Sequence, residues 1–138
     1  MTNRSKHQKK SIIPEGLPDR LSHLTKAFEK RPESQVLAAC CQYLDACGYF
    51  WWRQNNTGVQ RIKNGKRFWT SPKWAMPGVP DIFLMRSNGT GSILYGIECK
   101  SKVGRLSPEQ KRFQELFEAN GGVYILARSV DDLIKNGL

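Results

Sequence analysis

The stretch from residue 81 to residue 127 leaves the chain least freedom. Two apolar runs, "DIFLMR" at 81–86 and "ILYGIECK" at 93–100, flank a turn containing Asn88-Gly89, a strong hairpin signal. A helix is predicted from 108 to about 119, introduced by "SPEQ" and closed by Asn120-Gly121-Gly122. The short apolar run "VYILA" at 123–127 then reads as a buried strand. Strand 93–100 thus pairs antiparallel with the run before it and, across a right-handed crossover, parallel with the run after it. The expected architecture is α/β: a mixed β-sheet flanked by helices.

The remaining elements attach to that frame. The spacing predicts a helix over 32–47, with Pro32 suited to its first turn and Gly48 to its end. "YFWWRQN" at 49–55 reads as a strand by its aromatic content, and "SVDDLIKNGL" as a short final helix capped by Ser129. Residues 20–30 can form a short amphipathic helix through Leu21, Leu24 and Phe28. Before them, "MTNRSKHQKKS" carries Arg4, Lys6, Lys9 and Lys10 and almost nothing apolar. Residues 1–19 are therefore expected to be a basic flexible tail, and 20–138 a single domain large enough to bury a core unaided.

Lys and Arg number 22 against 12 Asp and Glu, a formal charge of +10 that favours an anionic partner, either nucleic acid or a membrane surface. No apolar run approaches the roughly 20 residues needed to span a bilayer, and the N-terminus shows no secretory segment. A cytoplasmic, membrane-free protein is expected. Cys40, Cys41, Cys47 and Cys99 form no CxxC pair and have no histidine at zinc-finger spacing. They read as reduced core residues, and no zinc is expected.

The positive charge is concentrated. Between Asp45 and Asp81 there is no acid, but there are six basic residues and seven of the fourteen aromatics, including Trp51, Trp52, Trp69 and Trp74. That mixture suits backbone phosphates together with unstacked bases, although a solvated loop anchored by buried tryptophans would look similar. Asn64-Gly65, between "RIK" and "KRFW", predicts a second small hairpin. Candidate contacts to such a nucleic-acid strand are Arg53, Asn55, Arg61, Lys63, Lys66, Arg67 and Lys73, joined by Lys102 and Arg105 after strand 93–100.

Strand 93–100 ends with an acid and a base where an apolar layer is expected. Alternation puts Ile93, Tyr95, Ile97 and Cys99 on one face and Leu94, Gly96, Glu98 and Lys100 on the other. If the hairpin is centred on the 89–90 bond, Arg86 faces Ile93 and Asp81 faces Glu98. Like charges directly opposed are destabilising, so a hard divalent cation with oxygen ligands suits the pair. Lys100 could then contact a water or a phosphate. The plainer alternative is a solvated edge pair, and a one-residue slip of register would separate the acids.

Glu33 is either a first-turn acid favoured by the helix dipole or a third acid of the site, because Glu33, Leu37, Cys40 and Leu44 share a stripe. Gln110 stands at the third helical position of a Ser107 capping box, and with Phe113, Phe117 and Asn120 it shares a face turned toward the sheet.

"GVPD" followed by "IECK" resembles the PD-(D/E)xK nuclease motif, and "KSKVGRLSPEQKRFQELFEANGGVYILARSVDDL" is similar to the VRR-NUC branch of that superfamily, known from phage proteins and DNA-repair nucleases. The resemblance runs from about Glu33 to Leu133. It implies a restriction-endonuclease-like core hydrolysing DNA phosphodiesters with Mg²⁺ or Mn²⁺. Asp81 and Glu98 match the metal-binding acids, the Cys99 backbone carbonyl a further ligand, Lys100 the catalytic lysine, Glu33 the helix acid and Gln110 the active-site glutamine. Stand-alone relatives imply a homodimer acting on branched DNA such as four-way (Holliday) junctions, in the cytoplasm of a bacterium or phage-infected host. The residue inside ExK is Cys99 where the family more often has an aliphatic, but only its main chain is needed. A non-catalytic DNA-binding module, or a nuclease for flaps or single strands, are the rival expectations.

Overall fold

The computed structural model describes residues 31–54 and 58–138; the tail at 1–19, the helix expected over 20–30 and Asn55 lie outside the described residues. In chain order the elements are α1 (Glu33–Ala46), β1 (Phe50–Arg53), β2 (Val59–Lys63), β3 (Lys66–Thr70), β4 (Ile82–Ser87), β5 (Ser92–Cys99), α2 (Pro108–Ala119), β6 (Val123–Ala127) and α3 (Val130–Lys135).

Strands β4 and β5 pair antiparallel in the expected register, with Arg86 opposite Ile93 and Ile82 opposite Ile97. Their turn is closed by the Asn88 side chain, whose Oδ1 accepts from the Thr90 and Gly91 N–H groups, while Gly89 supplies a φ of 90°. Strand β6 lies parallel to β5, and β1 pairs antiparallel with β4, giving a mixed sheet of order β1-β4-β5-β6. The second Asn-Gly turn also forms: Asn64 at φ 52° and Gly65 at φ 71° join β2 and β3 into a separate two-stranded ribbon.

The sheet is covered on both faces. Val36, Cys40, Tyr43 and Leu44 of α1, with Val130 and Leu133 of α3, pack on Ile82, Leu84, Tyr95, Ile97, Cys99 and Ile125. On the opposite face Phe113 and Phe117 of α2 stack on each other and meet Phe83, and Phe113 also reaches Tyr124. Gly96 lies beneath them because a Cβ there would stand 3.0 Å from Pro80 and 3.3 Å from Phe117. Trp51 packs against the α1 side while Trp52 turns to Phe83, as alternation requires.

Three details differ from the sequence reading. Pro32 is the N-cap of α1 rather than part of its first turn, since its ψ of 156° is extended. Cys47 is exposed because it is the C-cap of that helix, so it is not a core residue; Cys40 and Cys99 are buried, and all four cysteines are free. Asn120 is exposed at the C-cap of α2, where its amide donates to the Leu116 carbonyl.

Candidate active site

Glu98 is the last outward-facing residue of β5 on the α2 face, and only 2% of its surface is exposed. An ionised carboxylate so placed is costly unless it finds partners. Its Oε1 has two: the Lys100 ammonium at 2.7 Å and the Gln110 amide at 2.6 Å. Its Oε2 has none among the described residues, although it too is buried. Burial lifts the Glu98 carboxyl above its ordinary value; the Lys100 hydrogen bond opposes this, and the charge of Asp81 reinforces it.

Asp81 immediately precedes β4, and continuing the β4–β5 register places it across from Glu98. Its Oδ2 accepts the Cys99 N–H at 2.9 Å, which ties the acid to the backbone of the neighbouring strand. Lys100 leaves β5 with its own N–H on the Ala127 carbonyl, and its Nζ also lies 3.5 Å from Glu33 Oε1. Burial works to lower the Lys100 pKa, but the hydrogen bond and charge of Glu98 outweigh it, so the ammonium is held above its usual value.

The capping box decides what Gln110 does. Ser107 Oγ accepts the Gln110 N–H, and Gln110 Oε1 accepts the Ser107 N–H at 2.9 Å. With its oxygen thus engaged, the amide must present nitrogen to Glu98, so the same residue caps the helix and orients the acid. The N-termini of α1 and α2 therefore both contribute side chains at the carboxyl end of β5, where helix dipoles favour an anion.

The structure thus brings Asp81, Glu98, Lys100 and Gln110 together and places Glu33, half exposed, at their edge. Among the described residues no group of three His, Cys, Asp or Glu side chains is arranged to hold a metal. The candidate DNA contacts stand elsewhere. Arg61, Lys63, Lys66 and Arg67 are exposed on the β2–β3 ribbon, Arg53 on the edge strand β1, Lys73 over the Trp74 ring, and Lys102 and Arg105 in the loop after Lys100.

Two further residues carry no sequence signal. The Tyr124 hydroxyl is buried without a partner among the described residues, its pKa raised by burial and then by the charges of Glu98 and Asp81. It sits in an apolar strand run and reads only as core. Arg128 donates to the carbonyls of Ser101 and Lys102, pinning the loop that follows Lys100.

The family model for the VRR-NUC domain matches residues 32–131. The chain belongs to the VRR-NUC family. Membership makes this a nuclease-type domain acting on DNA, with the mixed α/β sheet of the restriction-endonuclease-like fold. No curated protein and no solved structure matches the chain. No described helix is long and apolar enough to cross a membrane.

Proposed function

We propose that this VRR-NUC chain is a Mg²⁺- or Mn²⁺-dependent DNA endonuclease, structure-selective for branched DNA such as four-way junctions. The observation carrying this is Glu98 Oε2, a buried carboxylate oxygen with no donor among the described residues, placed across a hairpin from a second carboxylate. Such an oxygen gains most from a cation, and two carboxylates with the Cys99 carbonyl suit a hard ion that keeps several waters. Glu33 is the outer acid of this donor set. When bound, Mg²⁺ or Mn²⁺ would polarise the phosphate and acidify water.

The chain's own residues do the rest. Gln110 and Lys100 hold Glu98 by one oxygen and leave the other without a partner among the described residues. Lys100 is kept protonated, so it can orient the attacking water and neutralise charge developing on phosphate oxygens. The ribbon cations and Lys102 and Arg105 hold the DNA backbone. A homodimer would let two such sites cut opposing strands; Phe50 and Met85, paired across β1 and β4 and both exposed, offer apolar surface for a second copy. Residues 20–138 would form the nuclease domain, the basic tail adding DNA contacts.

Cleavage of labelled four-way, flap and linear duplex DNA in Mg²⁺ tests the reading. The four-way substrate should be cut fastest, and Lys100→Ala should abolish cleavage while DNA binding persists. Full cleavage by that variant contradicts the mechanism.

A further inference from the structure

A cleft of about 600 Å³ opens beside the acids, between segment 71–79 and the first turn of α2. Three of its walls are one link from the site. Gln54 donates its N–H to the Asp81 carbonyl at 2.8 Å, Val79 stands two residues before Asp81, and Gln110 donates to Glu98. A phosphate at the carboxylates would therefore bring its own nucleotide to the mouth of this cleft.

We propose that the cleft captures one unstacked nucleobase, so that the chain selects DNA with an unpaired nucleotide beside the scissile phosphate. This rests on the endonuclease reading. The volume lies in the range of small-molecule sites. Ala75 and Met76 provide apolar wall, Gln54, Ser71 and Gln110 provide donors and acceptors, and no Lys or Arg lines the cleft among the described residues. A phosphate would call for a cation there, whereas a base needs apolar faces for its ring and polar groups at its edge.

The wall is fixed. At Gly78, with φ 77°, a Cβ would come within 2.2 Å of the Glu109 carbonyl, so this backbone is pressed onto α2. Four residues earlier, Trp74 is 90% exposed, with a left-handed φ of 70° and Lys73 Nζ 5.4 Å from its ring centroid. Strained backbone of this kind concentrates at functional sites, and an exposed aromatic face suits stacking of the adjoining base. The segment between Asp45 and Asp81 holds no acid; Glu109, on α2, is the one acid lining the cleft among the described residues. Extrusion costs least where a base is already unpaired, which favours bulges, flaps and branch points over plain duplex.

The test places 2-aminopurine at successive positions around a one-nucleotide bulge and titrates protein with Ca²⁺ replacing Mg²⁺. One position should show a fluorescence rise of several-fold, lost in Ala75→Phe, whose larger side chain projects into the cleft and narrows it. Cleavage in Mg²⁺ should prefer the bulged over the paired duplex by about tenfold. That preference should disappear in Ala75→Phe and, without any protein change, when the bulged nucleotide is abasic. Cleavage without a fluorescence rise at any position, or a preference that survives the abasic substitution, overturns base capture alone. A rise without cleavage overturns the endonuclease reading and leaves base capture standing.

Discussion

Replacing Lys100 by Met keeps the aliphatic stem and removes the ammonium 2.7 Å from Glu98 Oε1, leaving Gln110 as the donor to that acid. Breaking a buried pair this way costs roughly 3–5 kcal/mol when the orphaned charge must stay charged. Glu98 has an escape, because it can take up a proton. From the ordinary value of 4.5, protonation at pH 7 costs about 3.4 kcal/mol, and burial has lifted Glu98 above that value, so the penalty is smaller still. With about 2–3 kcal/mol lost, and an unfolding entropy of roughly 0.3 kcal/mol per kelvin for a chain of this length, Tm should fall by roughly 7–10 °C at pH 7. The sign with pH follows. A raised carboxyl pKa means the folded variant binds the proton more readily than the unfolded chain, so the variant regains stability as pH falls toward 4.5. At pH 5 the same reasoning caps the gap at about 0.7 kcal/mol, roughly 2 °C. Thermal denaturation in EDTA at both pH values is the assay. A gap that is absent, or equal at the two pH values, refutes the electrostatic account of the pair.

Gly78→Ala should lower Tm by several degrees, roughly 2 kcal/mol, because the new methyl meets the Glu109 carbonyl in a backbone region that disfavours side chains; an unchanged Tm refutes that packing. Neutralising Lys63, Lys66 and Arg67 together should flatten the salt dependence of duplex binding by about 0.9 per lost phosphate contact, and an unaltered slope removes the ribbon from the interface. Arg128 Nη1 donates to both the Ser101 and Lys102 carbonyls, so Arg128→Met, which keeps a stem and no donor, should accelerate amide exchange in residues 101–104; unchanged protection means the loop is held otherwise.

What could be read from the sequence was local. The Asn88-Gly89 turn fixed the hairpin register, and that register alone set Asp81 across from Glu98. The "SPEQ" capping box located Gln110 at the start of α2, and Asn64-Gly65 marked the ribbon. The contacts that turn these residues into a site join distant segments, and no spacing rule reaches them. Glu33 meets Lys100 from the first turn of α1, Gln110 supplies nitrogen rather than oxygen to Glu98, and Arg128 pins the loop beyond Lys100. The Tyr124 hydroxyl was hidden by the opposite problem: a residue in an apolar run reads as core until its oxygen is seen to be buried and without a partner among the described residues. Pairing of β1 with β4, and the approach of Gly78 to Glu109, are likewise long-range facts.

In the proposed function Glu98 and Asp81 form one half of a phosphodiester-hydrolysing site whose other half is a divalent cation. Single-turnover cleavage of end-labelled four-way DNA in Mg²⁺, comparing the wild-type chain with Glu98→Gln, tests it directly. The exchange preserves shape and an acceptor for Lys100 but removes the charge that attracts the cation. EDTA should abolish cleavage by the wild type, and the variant should lose roughly 100-fold or more while retaining DNA binding. Cleavage that persists in EDTA, or a variant that cuts at the wild-type rate, would contradict it.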